Sequence, residues 1–152
     1  LLGFGNASRI PREHQEPVPL EIITGNFAYM APELTGRVNR SIDSRSDLYG
    51  LGVCFYQMLT GVLPFTAQDA IGWVHSHIAR QPLAPHERVS TIPLRLSALV
   101  MKLLEKNAEE RYQTAHGLLA DLEALASRSL VPVNPDVQDF VLGRHDDSGR
   151  PL

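Results

Sequence analysis

Hydrophobic positions show no regular period in the first third of the chain, and from Ser44 onward they recur at helical spacing. From Asn6 to Pro19 the chain is polar and broken by prolines, which predicts an extended loop, and Arg37 to Asp43 predicts a second, basic loop. Ser44-Arg-Ser-Asp47 has the form of a capping box and predicts a helix start. The apolar positions that follow, from Leu48 through Val53 and Phe55 to Leu59, fall on nearly every face of that helix. A helix apolar all round is expected at the centre of a helical domain, and Cys54 within it is expected to be a small buried residue. Gly61, with Pro64 beyond it, predicts its end. A second capping pattern, Thr66-Ala-Gln-Asp69, opens a helix with Ala70, Ile71, Val74 and Ile78 on one stripe, closed by Pro82 and Pro85. A third helix is predicted between Leu94 and Lys106, and a fourth from near Thr114 using Ala115, Leu118, Leu119, Leu122 and Leu125. After Ser129 the pattern dissolves into Val131-Pro-Val-Asn-Pro135 and a polar stretch, read as linker. No convincing period-2 strand is present apart from a stub at Leu1-Leu2, so the expected class is mainly α around one buried helix.

Composition narrows the function classes. The chain has 152 residues, 43% hydrophobic and 20% charged, enough for one domain with a real core. A net charge of -3 argues against a nucleic-acid partner held by phosphate contacts. No apolar run reaches the roughly 18 residues that a membrane span needs, and no signal-peptide pattern opens the chain. The single cysteine, Cys54, excludes an internal disulfide framework and suits a reducing cytoplasm. A start on Leu1-Leu2 without methionine reads as a piece of something longer. Two histidines, His75 and His77, stand two apart on a predicted helix and so point away from each other, which makes a metal site there unexpected.

Four short motifs fall in one order. Gly3-Phe4-Gly5 follows two leucines; Tyr29-Met-Ala-Pro-Glu33 comes next; then Asp47-Leu-Tyr-Gly-Leu-Gly-Val53 with Leu59-Thr-Gly-Val-Leu-Pro-Phe65; and last Lys106-Asn-Ala-Glu-Glu-Arg111. In this order and near these spacings they resemble the second half of a eukaryotic-type serine/threonine protein kinase domain. The Asp-Phe-Gly motif would stand at Gly3, and the Ala-Pro-Glu motif that ends the activation segment at Ala31, Pro32 and Glu33. The resemblance covers roughly Leu1 to Ala126 and implies a helical C-lobe, residues 1–126, preceded by an extended activation segment, with 127–152 as linker or tail. Thr35-Gly-Arg-Val-Asn-Arg-Ser41 and the tail add a finer resemblance, to the kinase-like domain at the front of large bacterial and fungal sensor proteins. There it precedes an ATPase module and a histidine-kinase module.

The resemblance assigns roles residue by residue. It implies that Glu33 and Arg111 form a largely buried ion pair tying the activation segment to the helical core, a task suited to arginine's planar fork. Asp47 would hold the catalytic loop through backbone hydrogen bonds, and its position in the first helical turn also favours it through the helix dipole. Thr24, Gly25, Asn26 and Tyr29 would belong to the activation segment and peptide-docking loop. Thr24 is either a regulatory phosphosite or an unmodified loop threonine. Arg37, Arg40 and Arg45 are read as solvated loop charges, or as contacts for an acidic partner.

Two positions depart from the family pattern. Phosphoryl transfer in kinases uses the aspartate of Asp-Phe-Gly to hold Mg²⁺, and Gly3 has no side chain with which to do so. The docking-loop threonine is replaced by Asn26. No G-x-G-x-x-G, V-A-I-K or H-R-D pattern occurs in the 152 residues, so the nucleotide-binding lobe and catalytic loop are expected elsewhere. The expectation is therefore a kinase fragment that is inactive alone, with no catalytic residue and no metal site of its own. ATP and magnesium would serve the intact parent only. Its partners would be the missing N-lobe and a protein substrate or downstream signalling modules; the alternative is a pseudokinase lobe that docks or regulates other modules.

Overall fold

The computed structural model describes residues 26–38, 41–129 and 141–146. All regular elements among them are helices: α1 (Ser44–Thr60), α2 (Ala70–Ala79), α3 (Pro85–Arg88), α4 (Leu94–Leu103) and α5 (Ala115–Ser129). Three short 3-10 turns, Phe27–Tyr29, Pro32–Thr35 and Ala108–Glu110, complete the set. The chain is mainly α, as its pattern predicts; residues 27–29 and 32–35 wind into 3-10 turns, and the extended loop expected from Asn6 to Pro19 lies outside the described residues.

The helix starts differ from the sequence expectation by one or a few residues. α1 is capped by Asp43, whose carboxylate accepts from the Arg45 amide at 2.9 Å, so Ser44 lies inside the helix and is not its cap. α2 is capped by Asp69, which accepts from the Gly72 amide at 2.7 Å, and Thr66 lies before the helix. Both corrections have one cause. A carboxylate immediately before the first turn satisfies free amides and complements the dipole better than a hydroxyl one residue on or three before. Gly61 ends α1 as expected, in the left-handed region at φ 76° with its amide donating to Gln57 O. α4 stops at Leu103, short of Lys106, where the Leu104 amide is shared between Val100 O and Met101 O.

α1 is the centre of the assembly and packs on α4, α3 and the Phe27–Tyr29 turn. One apolar cluster joins Ala31, Tyr49, Val53, Tyr56, Val100 and Leu104; a second joins Leu48, Leu99, Leu103, Tyr112 and Leu118. α1 and α4 approach so closely that a Cβ on Gly52 would lie 2.6 Å from that of Leu103, a contact no larger residue allows without displacing a helix. The expectation that α1 is buried all round is corrected on one side. Met58 is 79% and Leu51 36% exposed, and Cys54 between them is exposed rather than buried. The apolar pattern of α1 thus serves the core on one face and leaves an uncovered apolar stripe on the other.

Residues 141–146, expected to be linker, contact the lobe. Leu142 packs against the second apolar cluster, and Asp146 accepts hydrogen bonds from residues just before α5. α5 itself continues to Ser129, past the boundary drawn at Ala126.

Candidate functional site

Glu33 and Arg111 meet in the core. Arg111 Nη1 lies 2.7 Å from Glu33 Oε1, and Nη2 lies 2.9 Å from Oε2, a two-point clasp. The remaining donors are also used: Nε donates to Glu105 O at 2.7 Å, Nη1 to Arg45 O at 3.1 Å and Nη2 to Lys106 O at 3.3 Å. All five donors of the guanidinium are therefore engaged. Ser46 Oγ donates to Glu33 Oε1 at 2.7 Å, and the guanidinium carbon sits 4.9 Å from the Tyr49 ring centroid. Arg111 is 1% and Glu33 3% exposed. Burial by itself would raise the Glu33 carboxyl, but the Arg111 hydrogen bonds and charge, with Ser46, outweigh it and hold the group below its ordinary value.

Local structure delivers each partner to this point. Pro32 begins the 3-10 turn Pro32–Thr35, Thr35 Oγ1 donates back to Pro32 O at 2.6 Å, and Ala31 is fully buried in the core. Glu33 is thereby aimed inward. Arg111 follows the turn Ala108–Glu110, and Gln113 braces it by donating to Ala108 O and Arg111 O while accepting from Arg45 Nη1 at 2.8 Å. Arg45, expected to be a solvated loop charge, instead lies within α1 and pairs with Asp43 at 2.7 Å.

A second junction ties down the residues just before Ala31. Asn26, the docking-loop departure, caps the Phe27–Tyr29 turn by accepting from the Ala28 amide at 3.1 Å. Tyr29 donates its hydroxyl to Gln57 Oε1 on α1 at 2.6 Å. His77 Nε2 lies 2.8 Å from Phe27 O and its Nδ1 2.8 Å from the Tyr49 hydroxyl. A carbonyl only accepts, so Nε2 carries the proton, and neutral Nδ1 accepts from Tyr49. His77 is 1% exposed, and burial first, then the nearby Lys106 charge, depress its pKa to about 4 against a contribution from Phe27 O. His75 is exposed on the opposite side of α2, in keeping with the expected divergence of the two rings.

The structure brings together Ala31, Pro32, Glu33 and Arg111, with Asn26 and Tyr29 on the adjoining turn. Asp47 stands apart, exposed in the first turn of α1, where the helix dipole favours it. Gly3, Thr24 and Gly25 lie outside the described residues. Sequence reasoning missed Ser46, Tyr49 and His77; the one available signal was a histidine among Trp73, Val74 and Ile78 on the apolar stripe of α2. Among the described residues, no three acidic, histidine or cysteine side chains converge as metal ligands. A groove of about 380 Å³ beside α2, lined by Arg37, Ile71, Val74, His75 and Ile78, presents no carboxylate.

A family model described as "Protein kinase domain" matches residues 1–121. The chain belongs to the protein kinase domain family. This kinase domain is 38% identical over 146 residues to Hybrid signal transduction histidine kinase G of Dictyostelium discoideum, covering 84% of the chain and 4% of that protein. It is 35% identical over 122 residues to Serine/threonine-protein kinase PknB of Mycobacterium tuberculosis, covering 80% of the chain and 19% of that protein. Histidine protein kinase 1 of Candida albicans is 41% identical over 95 residues, 62% of the chain and 4% of that protein. The kinase domain thus spans a small part of these relatives. Among its described residues no helix is long and apolar enough to cross a membrane.

Proposed function

We propose that this chain is the helical lobe of a serine/threonine-type protein kinase domain within a cytoplasmic signal-transduction protein, and that it anchors the activation segment without itself transferring phosphate. The observation that carries the reading is the two-point clasp of Arg111 on Glu33, whose other three donors hold the carbonyls of Arg45 in α1 and of Glu105 and Lys106 just after α4, so that the end of the activation segment is tied to the helical core. The exposed stripe of Leu51, Cys54 and Met58 on α1 supports it as a surface for the remainder of a kinase domain, an N-lobe with its catalytic loop. Signalling is supported by the two histidine-kinase relatives, and protein serine/threonine phosphorylation by the mycobacterial one. ATP and magnesium belong in this reading to the complete domain.

The chain alone should give no saturable ATP binding in titration calorimetry with Mg²⁺ present. One-to-one binding in the micromolar range would overturn the assignment of nucleotide contacts to residues outside these 152.

Gly3 favours the pseudokinase form of the reading, in which the lobe docks or regulates attached modules. In a protein that carries these residues behind a nucleotide-binding lobe, Gly3→Asp should raise phosphotransfer to a generic serine/threonine substrate, together with its Mg²⁺ dependence. Robust turnover with Gly3 in place would remove the pseudokinase reading and leave the anchoring role untouched.

A further inference from the structure

The segment 141–146 touches the lobe at Gln113 and Thr114, just past the buried arginine, and at Asp121 in α5. Asp146 Oδ1 accepts from the Thr114 amide at 2.9 Å and from its hydroxyl at 3.0 Å, and Oδ2 accepts from the Gln113 amide. Thr114 in turn caps α5 by accepting from the Gly117 amide at 2.9 Å. The seat is shaped for this occupant: a Cβ on Gly117 would lie 2.5 Å from Asp146 Oδ1 and 2.8 Å from its Cα. Three residues earlier the Gly143 amide donates at 2.7 Å to Asp121 Oδ2, the same oxygen that takes the Tyr112 hydroxyl at 2.6 Å. Asp121 is 2% exposed, so this second attachment lies inside the lobe.

Residues 111 to 114 are consecutive. Arg111 holds Glu33, Tyr112 is held with Gly143 through Asp121, and Gln113 and Thr114 are held by Asp146. We infer that residues 141–146 are a strap that keeps this stretch in the conformation in which Arg111 reaches Glu33, so that freeing the strap loosens the far end of the activation segment. Asp146 and Glu33 are connected through the consecutive residues Arg111 to Thr114, so a change at the strap reaches the anchor. The inference concerns the folded lobe and stands or falls independently of whether a longer protein transfers phosphate.

The test is amide hydrogen exchange by NMR on the 152-residue chain, comparing Asp146→Ala and Asp146→Asn with the unsubstituted protein. Loss of a capping carboxylate should speed exchange at Gln113, Thr114 and Gly117 by about 2- to 30-fold, the ratio that corresponds to the cost of a lost cap. The strap reading further requires faster exchange at Leu34 and Gly36, the amides that close the turn around Glu33, while Leu103 in α4 stays protected. The milder Asp146→Asn, which keeps one acceptor oxygen, should give the same pattern with a smaller ratio. Acceleration confined to residues 113–118 would reduce the segment to a local cap and overturn the coupling. Unchanged exchange at Gln113 and Thr114 would overturn the docking itself, and uniform acceleration that includes Leu103 in both variants would overturn a specific path.

Discussion

Arg111→Ala lowers the stability of the chain by about 3–5 kcal/mol, the usual cost of stranding one member of a buried ion pair, whereas Arg80→Ala, at an exposed position, changes it by no more than about 0.5 kcal/mol. The difference follows from what each removal leaves behind. Without Arg111, the Glu33 carboxylate, 3% exposed in the intact protein, keeps Ser46 as its one side-chain hydrogen-bond donor among the contacts described, and the carbonyls of Arg45, Glu105 and Lys106 lose a buried donor. The measurement is the urea midpoint of each variant at neutral pH. Adding Glu33→Ala to Arg111→Ala removes the stranded charge, so the double variant should lose much less than the two single losses combined. Equal midpoints for Arg111→Ala and Arg80→Ala, or strictly additive losses, would show that the clasp contributes nothing specific. The effect is also a test of function, because the same clasp carries the proposal that this lobe anchors the activation segment.

The clasp was legible only through the resemblance: Ala-Pro-Glu and the arginine turn match two motifs of the kinase family, and the family, not their spacing, implies that Glu33 and Arg111 pair. The helices were legible from the residues themselves: apolar spacing and the cap at Gly61 are local properties. What stayed hidden depends on contacts between distant residues. The exposure of Leu51, Cys54 and Met58 follows from which face of α1 meets α4, and a helix apolar on every side carries no period to reveal it. Asp146 reads as one acid in a polar tail, since its amide partners Gln113 and Thr114 are 33 and 32 positions away. In the sequence Asn26 reads as a lost threonine, and its gain is local but geometric: a side chain turned back onto the Ala28 amide. Helix starts slipped because serine, threonine and aspartate all cap, and only the observed turn tells which one does.

Stability should fall as pH drops from about 6.5 to about 4, and His77 should account for a large share of that fall. In the folded chain burial depresses the His77 pKa to about 4, against an ordinary value of 6.5. Between these values the unfolded chain binds a proton that the folded chain refuses, so stability rises with pH across the window. The contribution is complete above the unfolded value and lost as pH falls to the folded one, and its size is about 3 kcal/mol. The geometry explains why the folded site refuses the proton. Nδ1 is already occupied as an acceptor by the Tyr49 hydroxyl, while Phe65 and Trp73 flank the ring and Lys106 adds a like charge nearby. Glu33 acts lower on the scale: its carboxyl is held below the ordinary 4.5, so its stabilisation is present above that value and is lost only as pH falls through the depressed one. The two groups therefore separate along the pH axis, His77 first and Glu33 after it. His77→Gln retains an amide able to donate to Phe27 O but has no proton to gain, so its urea midpoint should be lower at pH 7 and nearly flat between pH 6.5 and 4.5. A His77→Gln chain that kept the full slope of the parent would assign the pH dependence to other groups and overturn the neutral buried histidine.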